Sequence, residues 1–158
     1  SEPEAFEPFL NEWTESVQRD FNHPAIVGWC PFNETWDCQG RKQIDGLLAL
    51  TYRMTKRLDP TRPCIDTRGN FHVETDIFDV HDYEQDVAAF AETYRPFKEG
   101  TGLFFDRFAE RQQYQEGQPM FVSEYGGEWW APGKENGWGY GDAPKSEEEF
   151  AARENPLP

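Results

Sequence analysis

The chain has 158 residues, 37% of them hydrophobic, a mean hydropathy of −0.87 and a formal charge of −15. Clustered Lys and Arg are what phosphate backbones require, so this acidity excludes nucleic-acid and anionic-membrane partners. Thirteen Phe, six Trp and six Tyr separate the chain from disordered sequences, which are poor in aromatics, and predict one folded domain with a moderate core. Cys30, Cys38 and Cys64 are odd in number and lack CxxC spacing, and with His23, His72 and His81 they form no recognisable zinc pattern. They are expected as reduced, partly buried thiols, and no cofactor is expected. No stretch is long and apolar enough to span a membrane, and Ser1-Glu2-Pro3-Glu4 is no signal peptide, which makes a cytoplasmic setting the simpler expectation.

Phe6, Phe9, Leu10, Trp13, Val17 and Phe21 recur at helical steps and predict an amphipathic helix over 4–22, stopped by Asn22-His23-Pro24. Ile26 to Pro31 reads as a strand covered on both faces. A second helix is predicted over 43–58, with Leu47, Leu48, Leu50, Met54 and Leu58 on its inner face. After Asp59-Pro60-Thr61-Arg62-Pro63 comes a short strand, 64–67, and a third is predicted near 77–81. Residues 85–94 and 103–114 read as helices, separated by Pro96 and the Gly100/Gly102 pair. Met120 to Glu124 is the fourth strand. A loop over 126–144 follows, and Ser146 starts a short last helix with a capping box. Strand and helix alternating with short connections predict parallel βα units. Four strands make about half of a closed eight-stranded barrel, and its two open edges predict self-association.

Two apolar runs end in acids: Glu34 in HPAIVGWCPFNETW and Glu124 in MFVSEYGGEWW. Catalytic groups collect where parallel strands end. Paired carboxylates at two strand ends suit retaining glycoside hydrolysis, which needs a proton donor and a nucleophile. Glu34 suits the donor, with Trp29 and Trp36 expected to supply apolar surroundings that favour the protonated acid. Asn33 beside it suits a sugar hydroxyl. Glu124 suits the nucleophile. Between them, DVHDY ends the third strand, where Tyr83 is placed to donate to the nucleophile and His81 to meet a sugar hydroxyl. Trp36, Trp129 and Trp130 are candidates for binding or stacking on a sugar ring, with loop packing the rival for one of the last two. Asp66 and Arg68 are expected at the same strand ends, either as polar substrate contacts or as a structural pair.

These segments, with LDPTRPCIDTRGN and GWGYGDAPKSEEEF, resemble glycoside hydrolase family 2, which includes β-galactosidases, β-glucuronidases and β-mannosidases. The resemblance runs from about Trp13 to Phe150. It implies a (β/α)8 barrel, retention of configuration, Glu34 as acid/base and Glu124 as nucleophile. It also implies an α/β fold holding part of the barrel, strands four to seven with their helices, across residues 1–158. The earlier strands, the last strand and the accessory β-sandwich domains of the family have no counterpart in the sequence. Arg68 stands where a small residue is expected. Some relatives use Mg²⁺ or Na⁺, but the two-carboxylate chemistry requires neither. The leading expectation is a β-galactosidase-like piece of a larger retaining glycosidase, its partner a β-glycoside. The alternative is an inactive or merely carbohydrate-binding remnant. An enolising barrel enzyme is disfavoured, because no metal cluster or basic group stands clearly at the strand ends.

Overall fold

The computed structural model describes residues 3–35, 42–101, 109–112, 114–134 and 137–154. The chain falls into two compact units, Ser1–Val80 with Phe108–Ser123 and His81–Arg107 with Glu124–Pro158.

In the first unit a 3-10 turn, Pro3–Ala5, leads into helix α1, Phe6–Asp20. Its apolar stripe is the predicted one from Phe6 to Val17, whereas Phe21 lies past the helix and is exposed. Phe9 stacks on Phe32 at 4.8 Å between centroids, and Trp13 meets Trp29 edge-on at 6.1 Å. Strand β1 is Phe32–Asn33, and it runs parallel to β2, Thr67–Arg68, pairing Phe32 with Thr67 and Asn33 with Arg68. Upstream, a single parallel bridge joins Trp29 to Cys64.

The predicted strand over 26–31 is therefore reduced to one bridge and a shorter, later strand. Ile26 to Gly28 make no ladder among the described residues, and Val27 is 82% exposed. An apolar run with no strand beside it cannot hold extended pairing on composition alone.

Helix α2, Asp45–Leu58, lies against α1. Its inner face differs from the expected leucine stripe: Leu47, Leu48, Thr51 and Thr55 are buried, whereas Leu50 is half exposed. The threonine hydroxyls are satisfied within the helix, Thr51 donating to the Leu47 carbonyl and Thr55 to that of Thr51, both at 2.8 Å. Thr55 Oγ1 also accepts from Trp13 Nε1 at 2.8 Å, which ties α1 to α2. Between them, Val17, Trp29 and Cys64 form the buried centre.

Asp59 caps this centre and is fully buried. Its carboxylate accepts from Trp29 Nε1 at 2.8 Å, Arg62 at 2.9 Å, and both the backbone and hydroxyl of Thr61. Arg62 continues to the Ile26 carbonyl at 2.7 Å. Burial pushes the Asp59 carboxyl up, but hydrogen bonds from Thr61, Trp29 and Arg62 together outweigh it and hold it well below the usual range.

Asp66 makes a second buried anchor. It takes the Val73 and Glu74 backbone N–H groups and, at 2.7 Å, Nδ1 of His72. The other ring nitrogen, Nε2, lies 2.8 Å from the Asp79 carbonyl and 3.0 Å from the Asp79 backbone nitrogen. Burial pulls the His72 pKa down, but the Asp66 bond and charge, helped by Asp79, leave it raised overall.

Cys30 and Cys64 are free thiols, pushed by burial up to about 11 and about 12, as expected for inert cysteines. Cys38 lies outside the described residues.

Strand β3, Phe78–Asp82, and β4, Met120–Tyr125, pair with each other, and each runs from the first unit into the second. In the second unit Asp86 caps α3, Val87–Lys98, by accepting from Ala89 N–H at 2.9 Å. The helix was expected to stop before Pro96 but runs through it. Proline in a last turn removes a single ladder bond, and Gly100 at φ +68° then ends the helix.

Most of the helix predicted over 103–114 lies outside the described residues, and Ala109 to Arg111 form a turn. Arg111 there is drawn to Asp45 at 2.9 Å and lies over the Phe71 ring, while Gln112 accepts from His72 N–H at 2.7 Å. These tertiary partners hold the described end of that segment. Helix α4, Glu147–Glu154, starts as predicted, with Ser146 Oγ accepting from Glu149 N–H at 3.2 Å.

Two titrations should bracket the stability of the fold. The raised His72 pKa contributes stability that is complete below about 6.5 and is lost as pH rises through the folded-state value. The depressed Asp59 pKa contributes stability present above about 3.9 and lost as pH falls. Melting temperature against pH should therefore peak between these limits. His72→Gln should flatten the alkaline limb only; an unchanged slope there would refute the raised His72 pKa.

Candidate active site

Glu34 ends β1, and its N–H donates to the Arg68 carbonyl at 3.0 Å, extending the β1–β2 ladder by one bond. Its φ is +47°, and among the described residues it is the only non-glycine in the left-handed region. Such a conformation costs about 1–3 kcal/mol and persists only where the surroundings impose it.

The next residue supplies that constraint. Thr35 Oγ1 lies 2.7 Å from Gln43 Oε1, 3.2 Å from Thr67 Oγ1 and 3.1 Å from Asn70 Nδ2. Gln43 is anchored in turn to the Phe71 carbonyl at 2.8 Å. Sequence reading missed this network. Its one visible cue was the cluster of small polar residues, Thr67 and Asn70, at the end of a strand.

Asn33 and Glu34 are exposed, while Arg68 is partly buried. Trp29 does not surround Glu34 as expected. Its indole lies against Trp13 of α1 and donates to Asp59 at the end of α2. Trp36 lies outside the described residues. Asp66 is committed to His72 and to backbone N–H groups.

A cleft of about 530 Å³ also opens on the first unit, between Tyr52, His72, Glu74, Phe78, Arg111 and Gln118. No candidate site residue lines it. Much of its wall is already tied up, Tyr52 with Asp76, Glu74 with Arg53 and Gln118 with the Thr75 carbonyl.

In the second unit Glu124 lies near the end of β4. The Tyr83 hydroxyl donates to its Oε2 in a short hydrogen bond. His81 Nε2 stands 3.4 Å from the other oxygen, Oε1. Alternation along β3 turns His81 and Asp82 to opposite sides, and Asp82 accepts instead from Tyr94 of α3 at 2.8 Å. Burial first, then the bond to Glu124 and the proximity of Tyr140, push the Tyr83 pKa far up, so the phenol stays a donor at neutral pH. Tyr140 stacks flat on Tyr83, 3.7 Å between centroids and 11° between planes.

The loop that carries Tyr140 is built on glycines. Tyr140 N–H donates to the Gly127 carbonyl at 3.0 Å, and Gln85 holds the Gly126 carbonyl at 2.9 Å. Trp129 is enclosed by the returning chain. A Cβ on Gly137 would lie 1.7 Å from its ring, and one on Gly139 only 2.4 Å from its backbone nitrogen. Trp130 stacks on Phe150 of α4 at 5.9 Å. Both tryptophans are partly buried and engaged in packing.

Near a strand end, on an α/β chain with parallel pairing, a carboxylate thus has a phenol donor on one oxygen and an imidazole 3.4 Å from the other. Residues 1–145 match the family model described as glycosyl hydrolases family 2, TIM barrel domain. The chain belongs to that family, and its fold is an α/β piece of such a barrel. It is similar to the β-galactosidase of Kluyveromyces lactis, at 29% identity over 127 residues. That alignment takes in 78% of this chain but 10% of the relative, so the chain spans about a tenth of the curated protein it matches.

The strain at Glu34 has a measurable counterpart. Glu34→Gly should be more stable than Glu34→Ala by about 1 kcal/mol, because only glycine adopts this φ freely. Parallel urea denaturation of the two variants checks this, and equal midpoints would mean the conformation carries no strain. Gly137→Ala should disrupt the Trp129 environment and alter the near-ultraviolet circular dichroism, since its Cβ has no space.

Proposed function

We propose that this chain carries strands four to seven of a family 2 barrel, with residues 1–158 all belonging to that catalytic domain. In this reading the intact protein hydrolyses β-glycosides, β-galactosides among them, with retention of configuration. The observation that carries it is the Tyr83–Glu124–His81 cluster. Glu124 accepts from the Tyr83 hydroxyl on one oxygen and has the His81 imidazole 3.4 Å from the other, which suits an oriented nucleophile.

In the first step Glu34 gives its proton to the glycosidic oxygen as the bond from that oxygen to the anomeric carbon breaks. Glu124 attacks the same carbon from the opposite face, and an ester bond joins enzyme and sugar. In the second step Glu34, now a carboxylate, takes a proton from water. The water oxygen bonds to the anomeric carbon, and the Glu124 carboxylate leaves. Asn33 and His81 bind sugar hydroxyls in this reading, and Tyr83 keeps Glu124 aligned. Trp129 and Trp130 wall the site, each backed by its packing partner. The similarity to a β-galactosidase supports the choice of sugar, and family membership supports the two-step chemistry.

The test uses a 2-deoxy-2-fluoro-β-galactosyl fluoride, which forms the glycosyl ester but loses it slowly. Mass spectrometry of the digested protein should place the added sugar on Glu124, and Glu124→Gln should abolish labelling. Labelling elsewhere would remove Glu124 from the nucleophile's role. Glu34→Gln should slow hydrolysis of substrates with poor leaving groups by about 10²–10⁴-fold, the range typical of a lost general acid. Sugar binding without labelling or turnover would instead identify a carbohydrate-binding remnant. Tyr83→Phe should lower kcat more than it raises KM, because the donor acts on the nucleophile and not on the bound sugar.

A further inference from the structure

We infer that Trp138 is a sugar-stacking platform for the substrate residue on the leaving-group side of the scissile bond. This rests on the glycosidase reading above, and names a ligand contact that the paired carboxylates do not supply.

Trp138 is 78% exposed, the more open of the two described tryptophans on the returning loop whose rings meet other aromatics. A single exposed aromatic is ordinary on a protein surface. The backbone that carries this one is closely packed. The residues on either side of it, Gly137 and Gly139, are pressed onto Trp129 so closely that neither has room for a Cβ. The chain is thus pinned on both flanks and leaves the intervening indole in solvent. Tyr140 then meets the indole edge-on, at 5.2 Å and 68°. Rigid aromatic area exposed to water is what a stacking site requires, since little freedom is left to lose on binding.

Its position points to the ligand. The indole touches Tyr140, Tyr140 stacks on Tyr83 at 3.7 Å, and Tyr83 donates to Glu124. Two ring contacts therefore link the indole to the phenol on the nucleophile. The sugar that Glu124 attacks has to be gripped by polar groups close to the carboxylate. An open indole farther along this chain of contacts suits the apolar C–H face of the next pyranose. By contrast, Trp129 and Trp130, the tryptophans the sequence motif singles out, are turned into packing.

The experiment measures affinity by titration calorimetry in the Glu124→Gln background, so that substrate survives. The probes are lactose and cellobiose, each compared with the methyl β-glycoside of its non-reducing sugar. Trp138→Ala should weaken the better-bound disaccharide about tenfold and leave its methyl glycoside unchanged, and Trp138→Phe should keep part of the affinity. Equal loss on disaccharide and methyl glycoside would overturn the inference, since the effect would then belong to the first sugar or to the fold. Unchanged disaccharide affinity, or no binding of either disaccharide by the parent, would also overturn it. The two readings separate cleanly. Turnover that is indifferent to Trp138 sinks the platform alone, whereas Trp138-dependent binding without turnover sinks only the hydrolase.

Discussion

A buried carboxylate with no solvent contact organises the first unit. Asp59 ends α2 and receives the indole N–H of Trp29, the guanidinium of Arg62 and both donors of Thr61. A charge in that position is tolerable only because each neighbour donates to it. Through Trp29 it sets where the chain before β1 lies. Through Arg62, which holds the Ile26 carbonyl, it fixes the turn that delivers β2. The parallel register of β1 and β2 then places the N–H of Glu34 on the Arg68 carbonyl. Deleting one partner would leave a buried charge undercompensated, which explains why a two-residue ladder suffices here.

The second unit solves a different problem, the orientation of one acid. Glu124 stands on a strand, but its carboxylate is aimed by side chains from β3 and the segment just after it. Tyr83 is itself braced by the flat contact with Tyr140, so the long loop reaches the acid through aromatic stacking and not through backbone. Strand ends supply positions, and aromatic contacts supply angles. Glu34 is held by another device, backbone strain enforced by the Thr35–Gln43–Asn70 network.

Much of this was legible in the sequence because it follows from periodicity and punctuation. The apolar repeat from Phe6 to Val17, the capping serine at Ser146 and the strand ahead of Glu124 are each local signals. The pairing of Tyr83 with Glu124 was also readable, from a polar tail on an apolar strand. What escaped depended on contacts distant in sequence. Thr51 and Thr55 sit in the core because their hydroxyls bond to the preceding turn, which no hydrophobic stripe reveals. The turn at Ala109 to Arg111 is held by partners distant in sequence, Asp45 and Phe71 for Arg111 and His72 for Gln112. Trp29 looked like cover for Glu34, but its indole meets Trp13 and donates to Asp59. In the loop, the sequence singled out Trp129 and Trp130, both partly buried, and not the more exposed Trp138. Which indole faces outward is decided by two glycines that come later in the chain.

Those glycines have a consequence for how such a surface changes over generations. At positions 137 and 139 any side chain collides with Trp129, so the backbone there admits almost no variation. The residue between them meets no such barrier, because its side chain extends into open water. Position 138 is therefore a socket: the frame is fixed, the insert is exchangeable, and drift can sample new side chains without risk to the fold.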